Sequence, residues 1–188
     1  MNGTAELLRE LRLRGMVANT DALTADALIA DGLAVRRGKF LTLTPHGRDV
    51  HDREARLPDG SEEEREARHA YDTFLPMNQE LLQICTDWQV RPGGVTNDHR
   101  DVKYEWDVID RCNALDERAG PVVRHLGKAV ERFSVYRPRL RDALRKVEDG
   151  DHEWLVSPRC DSYHTVWMQL HEDLLLALGR SRNAEATI

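Results

Sequence analysis

The stretch GLAVRRGKFLTLTPHGRDVHDRE, residues 32–54, decides how the N-terminal part of this chain is read. Two short runs, Leu33 to Arg36 and Phe40 to Thr44, are rich in Val, Phe, Leu and Thr and flank Arg37, Gly38 and Lys39. Residues of those types favour a pleated, half-buried surface, and an Arg37-Gly38 pair between them suits a tight hairpin turn. Thr44 then offers an N-cap and Pro45 a first-turn proline, where the missing N–H costs nothing, so a helix is expected to follow. Upstream, Thr4 can cap a first helix carrying Ala5, Leu7, Leu8 and Leu11, with Gly15 placed to end it. Thr20 or Thr24 can cap a second, DALTADALIAD, closed by Gly32.

Downstream, LPDGSEEE at residues 57–64 marks a boundary. Pro58, Asp59 and Gly60 make a turn signal, and Ser61 before three glutamates is a helix start with carboxylates at the positive end of the dipole. From there to Gly179 apolar residues recur at three- and four-residue spacing. Ala67, Ala70, Tyr71, Phe74, Leu81, Cys85 and Trp88 form one stripe, interrupted by Pro76. Residues 91–98, RPGGVTND, read as a loop, and Val102, Trp106, Ile109 and Cys112 resume the helical spacing. Pro121 and Pro138 read as first-turn prolines, and Ser157-Pro158 as the start of a last helix with Tyr163, Trp167, Leu170 and Leu174 on its apolar face. Four or five such helices bury their stripes only against one another. The fold class expected is therefore mainly α: an N-terminal unit over 1–57, a helical bundle over 58–182 and a tail over 183–188.

Composition narrows the function. The chain has 188 residues, 40% hydrophobic and 32% charged, and a net charge of −6. Residues 1–57 carry nine Lys/Arg against eight Asp/Glu, or +1, leaving eighteen against twenty-five, or −7, for the rest. Any contact with nucleic acid is thus confined to the N-terminal third. No apolar run approaches the ~20 residues needed to cross a bilayer, and the first fifteen residues lack the apolar core of a signal peptide, so a cytoplasmic protein without a membrane partner is expected. Cys85, Cys112 and Cys160 have no metal or disulfide spacing and read as reduced thiols.

The hairpin with a basic tip, followed by Leu43-Thr44-Pro45-His46-Gly47 (L-T-P-x-G), resembles the winged-helix domain of MarR-like transcriptional regulators over residues 4 to about 55. The segments CTDWQVRP at 85–92, NDH at 97–99 and DSYHTVWMQLHEDLLLALG at 161–179 resemble a helical domain of bacterial regulator-like proteins. More loosely, the winged-helix segment is similar to those accompanying dikinase-type phosphotransferases that use phosphoenolpyruvate. The first resemblance implies a ligand-responsive regulator of transcription, with double-stranded DNA, a small-molecule effector and a second copy as partners. The likeness to dikinase-associated segments implies a non-catalytic accessory subunit docked on a larger enzyme.

The residues themselves divide between these readings. Arg36, Arg37 and Lys39 on the wing, with Arg12 and Arg14 on the first helix, can hold a phosphate backbone without reading sequence. The candidate reading helix TADALIAD carries Asp26 and Asp31 and no Lys, Arg, Asn or Gln for base edges. Only residues 16–32 separate the first helix from the hairpin, so the helix-turn-helix is compressed. In the bundle, Trp88, Trp106, Tyr163 and Trp167 can wall a ligand pocket, with Asp98, His99, His164 and His171 as its polar groups. The same aromatics also read as ordinary core, with the histidines on the bundle surface. His164 and His171 are two turns apart, ~10.5 Å at ~1.5 Å per residue, and cannot ligate one metal from that helix alone. No P-loop, G-x-S-x-G, H-E-x-x-H or dinucleotide glycine pattern occurs, so neither a catalytic residue nor a cofactor is assigned.

Overall fold

The computed structural model describes residues 3–18 and 21–180. It is mainly helical, with a small antiparallel sheet. Contacts divide the chain into one unit of Met1–Asp59 with Glu172–Ile188 and another of Gly60–His171.

The first unit begins with α1 (Gly3–Arg14), which buries Leu7, Leu8 and Leu11 and carries Arg12 and Arg14 in its last turn. Gly15 ends it at φ 78°, a left-handed backbone that a Cβ would disfavour. Next comes a strand the sequence reading missed, β1 (Met16–Ala18), then α2 (Ala22–Ala30). The expected caps for α2 were Thr20 or Thr24. Thr20 lies outside the described residues, and the cap is Asp21, whose carboxylate accepts from Thr24 N at 3.0 Å and Thr24 Oγ1 at 2.8 Å. Strands β2 (Ala34–Arg37) and β3 (Phe40–Leu43) pair antiparallel, with Arg37 opposite Phe40, so the turn is Gly38-Lys39, one residue later than expected. Gly38 takes φ 61° there. β1 joins the other edge of β3, giving the order β1-β3-β2. Thr44 caps α3 (Pro45–Ala55) as expected, its Oγ1 accepting from Gly47 N at 3.0 Å.

Leu7, Leu8, Leu11, Ala25, Leu28, Ala34 and Leu41 form this unit's core. Each fully buried leucine contributes about 1.5–3 kcal/mol relative to an exposed one. The sequence reading ran the second unit to residue 182, whereas contacts place Glu172 and the residues after it with the first. The reason is electrostatic as well as apolar: Arg9 pairs with Asp173 at 2.6 Å, Arg12 with Glu172 at 3.1 Å, and Leu57 N donates to Ala177 O.

The second unit opens with α4 (Glu62–Gln89), capped by Ser61 Oγ, which accepts from Glu64 N. The 91–98 loop is a small hairpin of β4 (Val90–Arg91) and β5 (Val95–Thr96). α5 (Val102–Ala129) follows and passes through Pro121, which corrects the expected helix start there. Pro121 is exposed, and Ala119, Gly120 and Val123 are buried around it, so packing on either side sustains a helix that loses one internal hydrogen bond. A 3-10 turn (Glu131–Phe133), α6 (Tyr136–Glu148), α7 (Glu153–Val156) and α8 (Tyr163–Ala177) complete the chain. α8 starts at Tyr163 rather than at Ser157-Pro158, because Ser162 Oγ accepts from Thr165 N at 3.2 Å and fixes the first turn there. The division between units falls inside α8, after His171.

Candidate functional site

In the first unit the proposed DNA-contacting cations separate into two groups. Arg12 is consumed by the fold: its Nε donates to Asp52 Oδ1 at 2.7 Å, its Nη1 faces Glu172, and only 13% of its side chain is exposed. Burial works against its charge, yet Asp52 and Glu172 hold its pKa above the ordinary value. It is a structural ion pair and is removed from the candidate backbone contacts. Arg14 pairs with Glu10 along α1 at 3.1 Å. On the hairpin, Arg36 leans toward Asp26 of α2 at 3.7 Å. Arg37 and Lys39 are exposed at the tip, with the Lys39 ammonium 5.3 Å from the Phe40 ring centroid. α2 presents Asp21, Asp26 and Asp31 to solvent beside Leu23, which is 82% exposed.

In the second unit the eight residues expected to wall or line a single pocket do not meet at one place. Trp167 is fully buried, stacked on Phe74 at 4.5 Å, and its Nε1 donates to Asn78 Oδ1 at 3.1 Å. Tyr163 packs beside it, and His171 is buried 5.3 Å from the Phe74 ring. These three are core, and the Tyr163 hydroxyl and Trp167 indole N–H are both engaged, with Asp116 and Asn78. His164 on the same helix is half-buried. Trp106 is 45% exposed, and Asp98 is exposed beside Arg100. Only Trp88 and His99 of the predicted set come together at the hairpin end, with ring centroids 5.0 Å apart.

What joins them there is Glu105, which the sequence reading did not select. Its carboxylate is 4% exposed, and three groups converge on it. Asn97 Nδ2 donates to Oε1 at 2.6 Å, His99 Nδ1 lies 2.9 Å from Oε2, and His152 Nδ1 lies 3.7 Å from the same oxygen. His152 also meets the Trp88 ring edge-on at 5.4 Å. The hydrogen bonds decide the His99 tautomer. Asn97 Oδ1 accepts from His99 N at 3.3 Å, which orients the amide, and both Nδ2 protons go to Trp88 O and Glu105. The 3.4 Å contact between Asn97 Nδ2 and His99 Nδ1 is therefore not a third bond, and Nδ1–H donates to Glu105. His99 is held at φ 57°, a left-handed backbone rarely kept by a non-glycine residue unless its surroundings fix it.

Deeper in the same unit, Asp116 Oδ1 and Oδ2 accept from Arg137 Nη1 and Nη2 at 2.5 and 2.9 Å, and Oδ1 also accepts from Tyr163 O–H at 3.1 Å. The hydrogen bond to Asp116, outweighing burial, raises the Arg137 pKa, while burial pushes the Tyr163 phenol well above its ordinary range. Burial likewise pushes Cys85 up to about 12 and Cys112 well above the ordinary thiol range, which suppresses thiolate chemistry at both. Both acids were visible in principle. Glu105 stands on the Val108, Ile109, Cys112 stripe and Asp116 beside Leu115 and Ala119, positions where a carboxylate needs a buried partner.

Among the described residues, no group of three His, Cys, Asp or Glu side chains is placed to hold a metal ion. No helix of the described residues is long and apolar enough to cross a membrane. Comparison with protein-family models, curated proteins and solved structures gives no match for this chain.

Proposed function

We propose that this chain is a non-catalytic, ligand-responsive regulatory protein whose first unit is a reduced MarR-like winged helix. In this reading the β2–β3 hairpin contacts the backbone of duplex DNA. The observation that carries it is the hairpin tip, where Arg37 and Lys39 stand exposed on a Gly38 turn of a three-stranded sheet. α2 offers acids and no cation, so it is assigned no base readout, and contact is confined to the hairpin. The test is a fluorescence-anisotropy titration of a duplex at several salt concentrations. Arg37→Ala with Lys39→Ala should weaken binding to every sequence alike and flatten the salt dependence by about 0.9 per lost phosphate contact. No duplex binding by the unaltered protein at about 50 mM salt, where non-specific binding is measurable, would end this reading.

A second reading has its own observation. Leu23 of α2 is 82% exposed and flanked by the exposed carboxylates of Asp21 and Asp26, which repel a phosphate backbone and leave a protein surface as the better fit. It supports an accessory subunit that docks through α2 on a larger enzyme, such as a phosphotransferase using phosphoenolpyruvate. Loss of partner binding in Leu23→Glu, with duplex binding absent throughout, would favour it over the first.

A further inference from the structure

The buried side of α5 runs through Glu105, Val108, Ile109 and Cys112, and two of its large apolar residues lie off that side. Val102 is 69% exposed and Trp106, one turn on, is 45% exposed. An indole and a valine side by side in water make an apolar spot that gains by being covered, and tryptophan is the residue type most often found at the centre of protein contacts. Lys103 and Asp110 are exposed on the same face. At ~100° per residue they lie ~60° and ~40° round the helix from Trp106, both on the same side of it. Along the axis Lys103 stands ~4.5 Å before Trp106 and Asp110 ~6 Å after it, at ~1.5 Å per residue.

That order is self-complementary. Two copies of α5 laid antiparallel across a two-fold axis at Trp106 bring Lys103 of each beside Asp110 of the other, because the rotation reverses direction along the helix but keeps the side. Trp106 then meets its own copy at the axis, where aromatic pairs gain from ring geometry as well as from burial. Within one chain the two charges cannot meet, being seven residues and ~10.5 Å apart. Lys103 has no ion-pair partner among the described residues, not even Asp107 one turn along. Arg111 and Arg118 of the same helix are held instead by α4, through Asp87 at 2.8 Å and Glu80 at 2.6 Å. A partner for this face needs an apolar centre with an acid opposite Lys103 and a cation opposite Asp110, and a second copy supplies all three.

We propose that the Trp106 face of α5 is a two-fold interface with a second copy of this chain. Its apolar centre is small, so the dimer is weak and forms as concentration rises. The proposal adds an interface to the regulatory reading without depending on it, and its test contains no DNA.

The experiment is sedimentation equilibrium of the full chain from about 5 µM to about 1 mM at low salt, conditions that keep weak charged contacts measurable. The unaltered protein should show a monomer–dimer equilibrium. Lys103→Asp and Asp110→Lys should each weaken it about tenfold or more, since symmetry places like charges at both pairs at once. The double variant Lys103→Asp with Asp110→Lys restores opposite charges with their signs exchanged and should recover dimerisation to within about threefold. Trp106→Ala should weaken the dimer about tenfold or more. All these positions are exposed, and circular dichroism checks that each variant is folded. A monomer at every concentration, which would leave the face to a different partner, would overturn the proposal. So would a dimer that both single reversals leave intact, or a double variant no better than either single one.

Discussion

Replacing Asp116 tests whether the buried network holds the second unit together. The Asp116 and Arg137 side chains are only 8% and 13% exposed, and three hydrogen bonds end on the carboxylate. Asp116→Leu leaves a guanidinium in the interior with no counter-charge, and Arg137→Met leaves a carboxylate held by Tyr163 alone. Each single change should cost about 3–5 kcal/mol, the usual effect of orphaning one member of a buried pair. Tyr163→Phe removes one bond to a charged acceptor and should cost less, about 1.5–3 kcal/mol. The double variant Asp116→Leu with Arg137→Met removes both charges and should lie within about 1 kcal/mol of the original protein, because desolvating the pair offsets much of its attraction. Urea unfolding followed by far-ultraviolet dichroism, run on all four variants, gives the coupling directly. Single variants each costing under about 1 kcal/mol, or a double variant costing the sum of the singles, would refute the argument that the interior pair is tightly coupled.

Other expectations are more local. A Cβ at Gly47 would lie 1.9 Å from Leu33 O, a backbone atom. Gly47→Ala should therefore destabilise the first unit by about 3 kcal/mol or more, read by thermal unfolding. His51 is buried, and burial lowers its pKa from 6.5 against the opposing pull of Asp52. The folded state thus takes up fewer protons than the unfolded one, so stability is full above pH 6.5 and falls below it, by up to about 1.4 kcal/mol per pH unit. Urea midpoints from pH 8 to pH 5 should fall more steeply for the original protein than for His51→Phe. Of the three thiols, only Cys160 is partly exposed. A disulfide reagent should label that one in the native protein and all three after denaturation; native labelling of Cys112 would contradict its burial.

Local chemistry made much of the fold legible. Thr44-Pro45, Ser61 and Gly15 marked helix ends because caps and left-handed glycines act within four residues of themselves. β1 was not legible: three residues, Met16 to Ala18, are too few for alternation to register, and their pairing with β3 is set by tertiary packing. Pro121 misled for the opposite reason, since a proline's local preference for a helix start yielded to packing along a 28-residue helix. At the candidate site, aromatic and histidine residues were selected by type, which found Trp88 and His99. His152 escaped because it meets Glu105 across 47 residues, a separation no periodicity reports, and Asn97 because it stands in the loop before α5, eight residues from Glu105, where helical spacing says nothing. Arg12 was misjudged because its partners, Asp52 and Glu172, lie 40 and 160 residues away.

The salt bridge between Arg9 and Asp173 spans 164 residues, and it has a consequence for how the chain is made. At the ~5–20 residues per second of ribosomal synthesis, α1 emerges roughly 10–30 s before its partner carboxylate. Throughout that interval the first unit has its own leucine core but lacks the segment that completes it, while every residue of the second unit, through His171, is synthesised before that segment. A nascent chain stalled before Glu172 should therefore carry a second unit with all its residues and a first unit still open to chaperones and proteases.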